Sequence, residues 1–226
     1  MNVDIYVGIV EFIVLLFSLS IHESAHAWSA DRLGDPTARY LGRVSLNPIV
    51  HADLFGTIIF PLVGLLSGVM FGWAKPVPVN VGRLRNPVRD HMLVAAAGPA
   101  SNVTLALAFF IVLMAMKTWS PETARIVRYV ASFGVPTDQG IVTPLALFAF
   151  YGMVINIILA VFNLIPVPPL DGATVLSGLL PRSLSGVFDQ FQSYGFVILI
   201  ILVYNGIPAA LYGPALQYMN SYLKAF

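Results

Sequence analysis

Long apolar runs, cut by glycine, proline and short polar stretches, set the reading of this chain. Asp4 to Ala30 is long enough to cross a bilayer, and the helix it predicts runs from about Ile5 to Arg32 before stopping at Leu33-Gly34-Asp35-Pro36. Leu54 to Gly72 is apolar for nineteen residues but holds Gly56, Pro61, Gly64, Gly68 and Gly72, so it either spans or forms a broken, re-entrant element. Trp73 to Asn80 alternates as a strand does. Two clear spanning helices follow, His91 to Lys117 and about Ile141 to Phe162, separated by the polar loop Thr118 to Gly140. A short helix from Ala173 to Leu180 and an amphipathic stretch then lead to an apolar run, Val187 to Tyr204, interrupted at Asn205-Gly206-Ile207-Pro208. The expected fold is an all-α polytopic membrane protein: a core of three transmembrane helices, a re-entrant strand-like segment, and one or more C-terminal membrane helices. It forms a single domain, with its core over about residues 5 to 180 and a C-terminal membrane segment over about 187 to 223.

Composition agrees and narrows the classes. Of 226 residues 58% are hydrophobic and only 10% charged, against about a quarter charged in soluble domains. There is no cysteine, so any metal must be held by nitrogen and oxygen. The net charge of +1 points to no nucleic-acid partner. Met1 to Phe12 lacks a basic region and a cleavage site, so the first helix is expected to stay in the protein.

The first helix carries the chemistry. Phe17 to Arg32 includes His22-Glu23-Ser24-Ala25-His26, and hydrocarbon penalises such polar residues unless they are paired, face a cavity or bind metal. Four residues apart, His22 and His26 share a helix face, the spacing with which HExxH grips zinc; Glu23 is then the general base toward a water. Zinc enzymes take three protein ligands and leave a fourth position open. Asp171 is the best candidate for the third, since Pro166, Pro168 and Pro169 break the preceding helix at the membrane boundary and fix that aspartate's place. Glu11, eleven residues before His22, lies too far along the helix to share the metal and is expected to be a satisfied buried or interfacial carboxylate. His51 and Asp53 are expected to hydrogen-bond their Asn-Pro loop rather than to form a second metal site, and His91 to anchor the interface beside Asp90. Asn156 and Asn163 fall on one face of their helix and require partners. In the strand-like segment Pro76 and Pro78 have the same parity, leaving the edge through Val77 and Val79 competent to dock an extended peptide.

Joining His22, His26 and Asp171 at one metal fixes the topology. The first helix and the Ile141 helix must point toward the same face, the Met92 to Lys117 helix crosses between them, and Leu54 to Asp90 must leave and return on one side. Arg32, Arg39, Arg43, Lys75, Arg83, Arg85, Arg89 and Arg182 then lie on the active-site side, against Lys117, Arg125, Arg128 and Lys224. That bias places the site toward the cytoplasm; the expected location is the plasma membrane.

HESAH at 22 to 26, AGPASN at 97 to 102 and NLIPVPPLDG at 163 to 172, in this order and membrane context, resemble the site-2 protease family of intramembrane zinc metalloproteases. The resemblance implies Zn2+ on His22, His26 and Asp171, Glu23 as the catalytic base, Asn163 in contact with the substrate near the scissile peptide, and a docking role for the segment holding Val77 and Val79. It implies a transmembrane protein substrate cut within the bilayer. Ala173 departs from the second glycine often found after Asp-Gly, and no PDZ or CBS module is present to show how cleavage is controlled. The competing class is a metal-binding membrane protein without proteolysis. A transporter should show repeated halves, and none is seen; a dead scaffold should have lost Glu23 or Asp171, and both are present.

Overall fold

A computed structural model describes residues 2–67, 72–136, 140–181 and 193–225. Arg182, Asp138 and the start of the C-terminal apolar run lie outside these. Among the described residues the chain is helical: α1 (Asn2–Arg32), α2 (Thr37–Tyr40), α3 (Pro48–His51), a π-helical turn (Leu54–Ile59) continuing into α4 (Phe60–Ser67), α5 (Pro87–Trp119), α6 (Pro121–Val130), α7 (Val142–Asn163), α8 (Asp171–Leu179), α9 (Gly195–Tyr204) and α10 (Ile207–Lys224).

Three of these, α1 from Ile5, α5 and α7, are long and apolar enough to cross a membrane; α9 and α10, bent by 58° at Asn205-Gly206, pass the same test as a pair. Cross-helix contacts give the directions. His26 meets Val94 and His22 meets Asn102, so α1 and α5 run antiparallel. Asn156 meets Asn102 and Gly152 packs on Phe109, so α7 also opposes α5 and runs with α1, as a shared metal site requires. Away from that site the three helices and α6 enclose the main core, in which Leu113, Val130, Ala146, Phe150 and Met153 are wholly buried. The C-terminal pair starts with Gly195 against Pro168 and ends where Lys117 Nζ bonds the Tyr222 and Ala225 carbonyls. Lys224 therefore shares the end of the molecule that holds Lys117.

The stretch after α1 folds back on it. Leu65 of α4 packs against Gly8, yet Trp73 N–H returns to the Gly56 carbonyl (3.1 Å) and Lys75 N–H to that of His51 (2.9 Å). Both ends of residues 54 to 73 therefore meet at one level. Trp73 to Asn80 is extended but joins no ladder among the described residues. The N–H groups of Trp73, Lys75, Val77 and Asn80 go instead to the Gly56 and His51 carbonyls and to the Glu23 and Asp35 side chains, so the expected strand is a tethered single segment.

Asp35 is the tether at the far end of that segment. It is fully buried, and it accepts from the Asn80 N–H (2.6 Å), the Thr37 N–H (3.1 Å) and the Thr37 hydroxyl. Burial acts to raise its pKa, but these donors and the Arg83 charge outweigh burial, and the carboxyl titrates below its usual range. A lowered folded pKa means the contribution is complete above the unfolded value of about 3.9 and is lost as pH falls through the folded one. Asp35→Asn would turn an amide N–H toward that of Asn80, and is expected to destabilise the fold by about 1–3 kcal/mol. Thermal unfolding in detergent checks this: the gap from wild type should close as pH drops below about 3.9.

Candidate metal centre

The histidines lie in the last third of α1, one turn apart and buried, with ring centroids 4.6 Å from each other. Asp171 opens α8 immediately after the proline-rich turn. Its Oδ2 lies 3.1 Å from His22 Nε2 and 3.3 Å from His26 Nε2, and the two Nε2 atoms are 3.0 Å apart. Gly172 permits this approach, because a Cβ there would fall 2.3 Å from the Leu164 carbonyl oxygen.

Each imidazole is held from behind. His26 Nδ1 donates to the Val94 carbonyl (2.7 Å) and His22 Nδ1 to Asn102 Oδ1 (2.6 Å), which leaves both Nε2 lone pairs turned toward Asp171. Asp171 Oδ2 is itself buried without a hydrogen-bond partner among the described residues. Three electron-rich atoms facing one point repel one another unless a cation joins them. Ligands of a tetrahedral zinc with bonds of about 2.05 Å stand about 3.3 Å apart, close to the spacings found, and an N2O set suits that ion. The residues fit a zinc ion.

Gly98 of α5 closes one wall. A Cβ on it would lie 2.4 Å from His26 Nε2 and 2.6 Å from His22 Nε2. Beside the histidines, Glu23 Oε2 accepts the Val77 N–H at 2.9 Å. The edge expected to offer donors to a peptide thus faces inward: Trp73, Lys75 and Val77 all spend their N–H groups within the protein. Val79 packs its side chain on Ala30, Leu84 and Val94, and its N–H has no partner among the described residues. Buried Arg43 holds the segment from the other side, donating to the Lys75 (2.8 Å), Pro76 (2.9 Å) and Val50 carbonyls.

The remaining expected positions divide. Asn163 is half-buried and donates from Nδ2 to Leu159 of its own helix (2.9 Å), leaving one amide hydrogen and the carbonyl oxygen. His51 bonds the Ser45 carbonyl (2.7 Å), and Asp53 caps the π-helical turn at the Phe55 and Gly56 N–H groups, both loop roles as expected. Asp90, beside His91, reaches back to the Asn86 N–H (2.7 Å). Glu11 is half-buried higher on α1 and takes no part in the site. Sequence reasoning missed Arg43 and the pairing of Asn102 with Asn156. For Asn102 a signal existed: it lies one turn from Gly98 in a spanning helix, where an amide needs a partner.

The profile of peptidase family M50 matches residues 10–204. The chain is 36% identical over 215 residues to the "Putative zinc metalloprotease YwhC" of Bacillus subtilis, covering 95% of this chain and 89% of that protein. It is 26% identical over 201 residues to the "Putative zinc metalloprotease Rip2" of Mycolicibacterium smegmatis, covering 88% and 68% respectively. No solved structure matches.

Proposed function

Because this chain belongs to peptidase family M50, the site-2 protease family, we propose that it is a zinc endopeptidase that hydrolyses peptide bonds of transmembrane substrates near the cytoplasmic face of the plasma membrane. The carrying observation is the convergence of His22 Nε2, His26 Nε2 and Asp171 Oδ2 within 3.3 Å, beside Glu23. These three side chains would hold the ion, which supplies a Lewis acid that polarises a carbonyl and acidifies water.

The chain's own residues do the rest. With Oε2 tied to the Val77 N–H, the Glu23 carboxylate is oriented, and its other oxygen is free to take a proton from the attacking water. The same carboxyl then delivers that proton to the leaving amine. The spare amide hydrogen of Asn163 binds the substrate near the scissile peptide. A substrate helix hides its carbonyls in its own hydrogen bonds and must unwind; the Val79 N–H, unpartnered among the described residues, offers the exposed backbone a donor, while Val77 beside it stays on Glu23 and holds the docking segment at the site. Residues 54 to 73 act as a re-entrant element that keeps this docking segment on the site's side. The excess of Lys and Arg near the site argues for the cytoplasmic orientation.

The test is cleavage of a single-span substrate by the purified chain in detergent. Wild type should carry about one zinc per chain, lose cleavage when a chelator strips the metal, and regain it when zinc is returned. Cleavage that survives complete stripping would rule the reading out.

A further inference from the structure

We propose that Asn156, acting through Asn102, dictates which nitrogen of His22 faces the metal, and is thus a positioning residue for a ligand with which it shares no hydrogen bond. This deepens the proposed function and rests on His22 as a metal ligand.

The starting point is a backbone carbonyl. Asn156 is wholly buried in α7, and its Nδ2 donates to the Gly152 carbonyl and to Ser18 Oγ, each at 2.8 Å. An amide side chain can be turned end for end in many settings, but here it cannot, because the Gly152 oxygen only accepts. Asn156 Oδ1 is thereby committed to Asn102. The Asn102 Nδ2 donates to it at 2.8 Å, which commits Asn102 Oδ1 to His22 Nδ1 at 2.6 Å. Facing an acceptor, Nδ1 must carry the hydrogen, and Nε2 is left with its lone pair toward His26 and Asp171. His26 receives the same instruction in one step from the Val94 carbonyl. His22 receives it in three, through two amides that are both 0% exposed and have no water to substitute for a lost partner.

Removing Asn156 frees the Asn102 amide to rotate, and a rotated amide offers N–H to Nδ1, which then takes the lone pair and moves the hydrogen to the ligating nitrogen. Outer-shell partners of this kind change metal affinity by about 10–100-fold. The experiment is zinc affinity, by competition with a chromophoric chelator, for full-length wild type, Asn156→Leu, Asn102→Leu and the double variant. The expected result is about 10-fold weaker binding for Asn156→Leu, a larger loss for Asn102→Leu, and a double variant no worse than Asn102→Leu alone. Wild-type affinity in Asn156→Leu, or losses that multiply in the double variant, would overturn the relay. Nitrogen NMR of histidine-labelled, zinc-loaded wild type gives a second reading that survives any variant's failure to fold. It should show His22 bound through Nε2 with a hydrogen-bonded Nδ1–H, and binding through Nδ1 overturns the proposal. Folded wild type that takes up no zinc would instead remove the ligand assignment beneath it.

Discussion

Glu23→Gln is expected to lower the cleavage rate by about 10²- to 10⁴-fold, the contribution of a positioned general base, while about one zinc per chain remains. Glutamine is a close test because of what Glu23 touches. Its amide oxygen can still accept the Val77 N–H, so the docking segment stays in place, but the group left beside the metal is an NH2 that cannot take a proton. Glu23→Ala should do more harm, losing the base and releasing Val77 together. Initial rates with zinc content measured on the same samples separate the two variants. Glutamine activity near that of wild type would mean that another group moves the proton.

The second large effect is Gly98→Ala. Its Cβ would sit 2.4 Å from His26 Nε2 and 2.6 Å from His22 Nε2, distances no real contact tolerates. The rings cannot swing aside freely, since Asn102 and Val94, which hold their Nδ1 atoms, belong to the same helix as Gly98. The methyl group must displace the ligating nitrogens or push α5 from α1. We expect zinc affinity to fall by at least about 100-fold and cleavage with it. Gly213→Ala, whose Cβ would meet nothing within 4 Å among the described residues, is the control and should leave both unchanged. Metal titration followed by a cleavage assay decides; an alanine variant that binds zinc as wild type does would show that α5 yields more easily than its contacts suggest.

The spanning helices were legible because hydrocarbon imposes a length and a composition that few other environments do. The parallel course of α1 and α7 also followed from sequence, once one metal was asked to hold residues 22 and 171. What was not legible was which partner each polar group would choose. The parity of Pro76 and Pro78 does mark a face on which donors are missing, yet it cannot say which face turns inward. The donor-bearing edge turned toward Glu23 and the loop carbonyls, since a single tethered segment must satisfy its N–H groups somewhere. Asn156 was recognisable as needing a partner, but that partner, Asn102, lay inside a run of small residues that reads first as a packing surface. Arg43 gave no signal at all: its acceptors are main-chain carbonyls, which carry no side-chain identity to pair in advance.

The hydrogen bond from Asn156 to Ser18 spans 138 positions of the chain. As the protein is synthesised, α1 therefore enters the membrane with Ser18, His22, Glu23 and His26 exposed, before the Val77 segment, α5 and α7 exist to receive them. The order of manufacture is the reverse of what stability would choose: the helix that carries His22, Glu23 and His26 is made before the helices that cover them. Until α5 and α7 arrive, that row of side chains must be sheltered by the insertion machinery or kept at the wet margin of the bilayer, so the nascent first helix is the stage at which biogenesis is most exposed to quality control.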